Sequence, residues 1–239
     1  ALRAALDAGP RRSRRLWDAW LDVSFADLKL TPAAVLEKLP GAPPSAPASP
    51  PRSFLEELDV AEERRGARDY VEDVRWLLGE LAAGRSPRIR CGGDDDLTLP
   101  GGDVWGRDRF FVNGAPWSWG DIEVRGTDRD DLYRRSRMFW SMASAEDGYV
   151  LPVPPGRYRI HLHFIEAHIN FPGYRRFDVS IQGKTAIEGF ETLGEVPFRT
   201  ALEKIVEAEV LDGPLAIRFP MGIQGEGPLI AAIEVERTD

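Results

Sequence analysis

All three histidines of this 239-residue sequence lie in one short stretch, as His161, His163 and His168. From residue 157 to 164 polar and apolar residues alternate, which is typical of a β-strand with one face in a core. His161 and His163 then share the polar face, where such a pair binds zinc if Glu166 or His168 supplies a third ligand. The remaining potential ligands show no compact metal spacing, so we expect no metal here and interpret the pair as imidazoles on a sheet face.

Two carboxylates and one thiol are the other side chains that could perform chemistry. Glu166 and Asp178 would suit a glycosidase with paired carboxylates, but no motif requires them to converge. Cys91 is the single cysteine, so no intramolecular disulfide can form, and a buried structural thiol is expected. We therefore expect a protein that is not an enzyme and that carries no cofactor.

The elements that must position these residues are predicted to be mainly short strands. Glycine (23 residues) and proline (19 residues) are frequent, and turn signals such as Asn113-Gly114 and Gln182-Gly183 separate alternating segments. This pattern predicts an antiparallel sandwich or jelly roll. The predicted strands are Arg88–Cys91, Arg109–Val112, Tyr149–Val153, Arg157–Ile165, Arg176–Gln182, Leu202–Val210, Pro214–Phe219 and Leu229–Val235.

The first third of the sequence has a different character. Residues 1–39 are predicted to be helical, and residues 40–52 form a proline-rich linker. Residues 53–85 are predicted to form one long amphipathic helix, which Ser53 and Glu56 open as a capping box. The β-sandwich is expected to follow over residues 86–239.

Charge and hydropathy exclude two classes of partner. The net charge of −8 argues against a nucleic-acid-binding protein, which needs a basic surface. No apolar run approaches the length of a transmembrane helix, and the first residues lack a signal-peptide pattern. These features favour a cytoplasmic location as the expectation.

Six short blocks of residues follow one another along the second part of the chain and carry a family resemblance. They are Arg88–Gly93, Asp103–Asp108, Asp131–Arg137, Tyr149–Glu166, Arg176–Gly183 and Pro228–Val235. In order and approximate spacing these blocks resemble those of the malectin family of carbohydrate-binding domains. The resemblance covers residues 88–236 and implies a malectin-like, jelly-roll-type β-sandwich, preceded by the helical region.

The resemblance also implies a sugar site, made of loop aromatics and a carboxylate at one end of the sandwich. Aromatic rings offer a flat apolar surface to the C–H face of a sugar, and polar groups bind its hydroxyls. Met138, His168 and Ile169 stand where the family has aromatic residues. The full set of expected site residues is Trp117, Trp119, Met138, Phe139, His168, Ile169 and Glu226, and further loop aromatics are Trp140, Phe171 and Tyr174.

Two functions follow from this resemblance and from the replaced aromatics. The first is a non-catalytic module that binds a glucose-type di- or oligosaccharide. The second is a protein–protein interaction module of a larger protein, in which the sugar site is lost and the Ser53–Ala83 helix docks a partner. An open pocket at the expected site residues would favour the first function, and burial beneath the N-terminal helices would favour the second.

Overall fold

A computed structural model describes residues 69–139, 145–220 and 225–239 of the chain. The helical segment and the linker predicted for residues 1–52 lie outside these residues. The chain divides into two compact units, one of Ala1–Arg85, Pro152–Pro155 and Leu211–Pro214, and one containing the remaining residues.

In the first unit, helix α1 covers residues 69–82, inside the amphipathic helix predicted from the sequence. Its apolar residues recur at three- and four-residue steps, so they form one stripe along the helix. The stripe is buried, since Val74, Leu77 and Leu78 have no exposed surface. Within the described residues, no helix is long and apolar enough to cross a membrane.

The second unit is built from short antiparallel strands. They are β1 (Arg88–Arg90), β2 (Leu97–Thr98), β3 (Val104–Trp105), β4 (Phe111–Val112), β5 (Ala115–Ser118), β6 (Arg135–Met138), β7 (Gly148–Leu151), β8 (Gly156–Phe164), β9 (Phe177–Ile181), β10 (Lys184–Phe190), β11 (Leu202–Val210), β12 (Leu215–Arg218), β13 (Leu229–Ile230) and β14 (Ala232–Arg237). Two one-turn helices, α2 (Asp130–Tyr133) and α3 (Thr192–Glu195), interrupt them.

These strands form two main sheets and two small ones. The four-stranded sheet has the order β1-β14-β8-β11, and the five-stranded sheet has the order β10-β9-β12-β7-β4. A three-stranded sheet, β13-β6-β5, and the β2-β3 pair complete the described strands. The fold is therefore mainly antiparallel β with a helix before the strands, as the sequence predicts.

Strand β8 supplies the centre of the core. Its apolar row, from Tyr158 to Phe164, is at most 1% exposed, as the alternating sequence predicts. Phe164 contacts Phe190 and Phe177 of the five-stranded sheet, with ring centroids 4.5 and 6.2 Å apart. The two large sheets consequently pack face to face as a β-sandwich.

Candidate functional site

Two loops meet around a buried ion pair that follows the end of β8. Nε of Arg175 donates to Oε2 of Glu166 at 2.6 Å, and the two side chains are only 3% and 2% exposed. The second oxygen, Oε1, accepts the backbone N–H groups of His168 at 2.9 Å and Ile169 at 3.0 Å. Glu166 therefore uses both oxygens to fix the turn of the loop between β8 and β9.

The same arginine ties this loop to the segment before β13. Nη1 of Arg175 donates to the carbonyl oxygen of Gly227, and Arg175 also forms a β-bridge with Gly225. The backbone N–H of Glu226 donates to the carbonyl oxygen of Tyr174 at 3.3 Å. The two loops thus form one unit that holds Glu226 beside Tyr174.

Two exposed aromatic rings stand on this loop pair. Phe171 is 55% exposed and Tyr174 is 42% exposed, and their ring centroids are 5.8 Å apart. His168 is exposed on the same loop, and Glu226 is half-buried. The loop pair therefore presents apolar ring faces together with a carboxylate and an imidazole, which is the combination that sugar recognition requires.

A second aromatic pair belongs to β5 and the residues after it. The indole ring centroids of Trp117 and Trp119 are 6.1 Å apart, and Trp117 is 38% exposed. Nε1 of Trp119 donates to Oγ of Ser136 on the neighbouring strand β6 at 3.1 Å. Trp119 and Ala167, the residue before His168, pack against the same buried cluster. The indole pair is thereby anchored to the core that also supports the loop of His168.

Three of the seven expected site residues lie inside the fold. Met138 is 4% exposed, Ile169 is 6% exposed, and Phe139 is fully buried and stacks on Phe219 at 5.3 Å. A ligand that approaches from solvent meets almost none of their surface. Trp117, Trp119, His168 and Glu226 retain accessible surface.

From the sequence, Phe171 and Tyr174 were named as loop aromatics but not among the seven expected site residues, and the Glu166–Arg175 ion pair was not predicted. The signal for the ring pair is the run Phe171-Pro-Gly-Tyr174, in which two aromatics flank a Pro-Gly turn. The ion pair has no comparable local signal, because its two residues belong to opposite ends of the loop.

The histidine pair of β8 belongs to the packing of the sheet. Nδ1 of His163 is 2.9 Å from the hydroxyl oxygen of Tyr133, and its ring packs edge-to-face with Trp105, with ring centroids 5.3 Å apart. Burial lowers the pKa of His163 to about 4 and raises the pKa of Tyr133 to about 12. Nδ1 of His161 lies 2.6 Å from Oε1 of Glu203 on the neighbouring strand β11. Among the described residues, no cluster of His, Cys, Asp or Glu could hold a metal ion.

The remaining chemically capable groups also serve the fold. Asp178 accepts the backbone N–H of Gly189 at 2.6 Å, across from β9 to β10. Asp108 is buried and accepts three hydrogen bonds, from the Gly92 N–H, Arg137 Nε and the Tyr149 hydroxyl, at 2.7 to 2.9 Å. Cys91 is buried and unpaired, and burial raises the pKa of its thiol.

An antiparallel sandwich of two packed sheets, with aromatic-bearing loops beside its strand ends, is the architecture of lectin-like β-sandwich domains. The family assignment is specific. Residues 86–233 match the family model of the malectin domain, and the chain belongs to this family. No curated protein matches the sequence.

Solved structures with the same fold come from large proteins of different kinds. A β-glucuronidase from Bacteroides uniformis has a TM-score of 0.56 at 20% identity, covering 66% of this chain and 18% of that enzyme. The ANX2 ectodomain from Arabidopsis thaliana has a TM-score of 0.54 at 15% identity, covering 64% of this chain and 50% of the ectodomain. A structure of the plant peptide RALF23 with FER and LLG2 has a TM-score of 0.52 at 16% identity, covering 64% of this chain and 48% of that chain. At these identities the likeness shows the fold alone, and this chain spans half or less of those proteins.

Proposed function

We propose that this domain is a non-catalytic carbohydrate-binding module for a glucose-type di- or oligosaccharide. The observation that carries the proposal is the exposed Phe171–Tyr174 ring pair beside Glu226, on loops that the buried Glu166–Arg175 ion pair holds in place. Membership of the malectin family supports the same function.

Binding would use the two kinds of surface that the loop pair presents. The rings of Phe171 and Tyr174 would stack against the C–H face of a sugar. Glu226 would accept hydrogen bonds from hydroxyl groups, and His168 would accept or donate them. Trp117 would extend the apolar surface for a second sugar unit. Because the ion pair fixes the loops before binding, little conformational entropy is lost when the sugar binds.

The carboxylates that could catalyse hydrolysis have structural partners. Glu166 is 2% exposed in its side chain and pairs with Arg175, and Asp178 binds the backbone of Gly189. A general acid or nucleophile must reach the glycosidic bond, and Glu166 has almost no exposed surface with which to do so. This burial supports a binding role rather than a hydrolytic one.

Binding to a glycan array, followed by calorimetry with glucose disaccharides, tests this proposal. Tyr174→Ala and Phe171→Ala should each weaken binding about fivefold to tenfold, since one ring stacking contributes on the order of 1 kcal/mol. Glu226→Ala and Trp119→Ala should also weaken binding. Val104→Ala is the matched control, because Val104 is 52% exposed on β3 and should leave affinity unchanged. Absence of binding, or equal affinity of the parent and all five variants, would contradict the proposal.

A protein-interaction module is the second function, and the burial of Met138, Phe139 and Ile169 favours it, because a sugar then meets only four of the seven expected site residues. The Ser53–Ala83 helix was expected to dock such a partner. In the described part of this helix the apolar stripe is already buried at Val74, Leu77 and Leu78. A partner would therefore contact the polar face of α1 or residues before it. If the protein captures a partner and the variant Glu72→Lys does not, this function is distinguished from sugar binding.

A further inference from the structure

Strand β11 forms one edge of the four-stranded sheet. It pairs with β8 over nine consecutive residues, from Leu202 opposite Phe164 to Val210 opposite Gly156, without a register shift. Just before the strand, the N–H of Ala201 donates to the carbonyl oxygen of Arg125 at 2.9 Å. Within the described ranges, Ala201 is the last residue whose backbone is paired on the side of β11 that faces away from β8. From residue 202 onward, that side of β11 presents an open row of backbone donors and acceptors.

Strand β11 has charged side chains but lacks the backbone features that protect an edge strand, and charged side chains do not repel a partner of opposite charge. Natural edges are shielded by proline, bulges or lysine side chains that discourage pairing with another chain. The sequence of β11 contains no proline, and its register shows no bulge. Its one lysine, Lys204, is engaged by an ion pair with Glu195. The edge is therefore geometrically able to accept a further strand.

The exposed side chains of β11 give this edge an acidic character. Glu203, Ile205, Glu207 and Glu209 alternate along the strand and are exposed, with Ile205 54% exposed. Glu203 is held by His161 at 2.6 Å. Among the described residues, neither Glu207 nor Glu209 has an ion-pair partner. Two carboxylates at a spacing of two residues thus lie beside one exposed apolar side chain.

The arginines opposite these carboxylates neutralise them only in part. In the strand register Glu207 lies opposite Arg159 and Glu209 lies opposite Arg157. Arg159 pairs instead with Glu236 on β14, at 2.8 Å. Within the described part of the chain, Glu207 and Glu209 therefore face one guanidinium without an ion-pair partner, that of Arg157, and the group retains a net negative charge.

A depression of about 430 Å³ lies on the same part of the sheet. Its charged lining residues are Glu207, Glu209, Arg157 and Arg159, of which Arg159 is paired with Glu236. When a strand is added to a sheet edge, backbone hydrogen bonds supply affinity and pockets for alternate side chains supply specificity. This depression is large enough for a lysine or arginine side chain that an added strand directs at the two glutamates.

We propose that β11 is a docking edge for an extended basic segment of a partner protein, which adds to the sheet as a further strand. The segment carries basic residues at two alternate positions, opposite Glu207 and Glu209, and an apolar residue two positions further on, opposite Ile205. Charge selects this partner over a second copy of the chain, because antiparallel pairing of two β11 strands would bring glutamates next to glutamates.

The test uses the full chain and synthetic nonapeptides of threonine, with lysines at two alternate positions and a valine two residues further on. Calorimetry should show binding, and the peptide should slow amide hydrogen exchange in residues 202–210. Alternate amides of the added peptide point toward β11 and away from it. N-methylation of the amides that point toward β11 should abolish binding, and N-methylation of the other set should leave it unchanged. A peptide of the same composition with adjacent lysines should bind at least tenfold more weakly.

Charge exchange supplies the matched variants. The double variant E207K/E209K should bind the lysine peptide at least tenfold more weakly than the parent does. It should instead bind a peptide in which glutamates replace the two lysines. E123K/E188K changes the net charge equally at exposed glutamates elsewhere and should bind the lysine peptide as the parent does. The proposal is overturned if no peptide binds, if N-methylation or lysine spacing has no effect, or if both double variants weaken binding equally. It is also overturned if rising protein concentration alone protects residues 202–210, since the occupant would then be a second copy.

Discussion

The ion pair between Glu166 and Arg175 determines where the two loops of the candidate site lie. Its carboxylate accepts two backbone N–H groups of one loop, and its guanidinium donates to a carbonyl oxygen of the other. Both charges are desolvated, so each is stable in the fold only while the other is present. The sequence places both residues in a loop, but nothing in their spacing indicates that they pair.

Glu166→Gln should lower the free energy of unfolding by about 3–5 kcal/mol, because it leaves the buried Arg175 charge without its counterion. Urea unfolding monitored by fluorescence measures this change. Glu236→Gln is the matched control, since its ion pair with Arg159 is 40% exposed on both sides and contributes about 0–1 kcal/mol. Equal losses for the two variants would show that the buried pair does not clamp the loops.

His163 should make stability fall in mildly acidic solution. Burial lowers its pKa from 6.5 to about 4 in the folded protein, so as pH falls the unfolded chain takes up the proton first. Stability is therefore full above pH 6.5 and decreases toward pH 4, by roughly 3 kcal/mol over the interval at 1.36 kcal/mol for each pH unit.

Unfolding free energies measured at several pH values check this dependence. His163→Gln, which cannot take up the proton, should show a flatter profile than the parent between pH 4 and 6.5. An unchanged profile for His163→Gln would refute the assignment.

At the scale of elements, strands with one buried and one exposed face were predicted from the sequence, and others were not. Strands β8, β9 and β11 show clear alternation, and their predicted bounds agree with the structure within one or two residues. Strand β6 was missed because the polar Ser136 and Arg137 are buried in it. Arg137 is buried through its ion pair with Asp108, a contact between distant parts of the chain that local pattern does not encode.

Strands β5 and β10 were missed for the opposite reason. Both are exposed along most of their length, and Phe190 at the end of β10 is their one buried residue. A strand without a buried row leaves no period-two signal in the sequence. The position of Trp117 on a strand, rather than on a loop, follows from this hidden β5.

The approach of the two loops depends on a glycine. Gly225 has a φ of 86°, and a Cβ atom there would lie 1.8 Å from the carbonyl oxygen of Tyr174. Gly225→Ala should therefore separate the loops, weaken sugar binding and destabilise the fold by more than the roughly 1–2 kcal/mol of backbone strain alone. Calorimetry and urea unfolding measure the two effects.

Gly183→Ala is the control for backbone strain without a clash. Gly183 has a φ of 73°, and a Cβ atom there meets nothing within 4 Å. It should lose only the strain energy and retain sugar affinity. If the two alanine variants behave alike, the close contact of the loops does not shape the site.

At the scale of the molecule, the sequence blocks over residues 88–236 predicted the sandwich, and the match to the malectin domain covers residues 86–233. These blocks succeed because they contain the alternating core strands and the polar residues that lock them, such as Asp108 and Arg137. The site was harder to predict, since three of the residues expected to form it, Met138, Phe139 and Ile169, are buried in this chain. Exposure depends on how loops fold over a core, and alignment to a family pattern does not determine it.

The central claim is that the loop pair of residues 165–176 and 225–228 binds a sugar. Two-dimensional ¹H–¹⁵N NMR of the intact chain, titrated with a glucose disaccharide, tests it most directly. We predict saturable shifts of the backbone amides of His168, Tyr174 and Glu226 and of the Trp117 indole N–H, while the amides of β11 remain unchanged. Shifts confined to other parts of the sandwich, or no shifts at millimolar sugar, would contradict the claim.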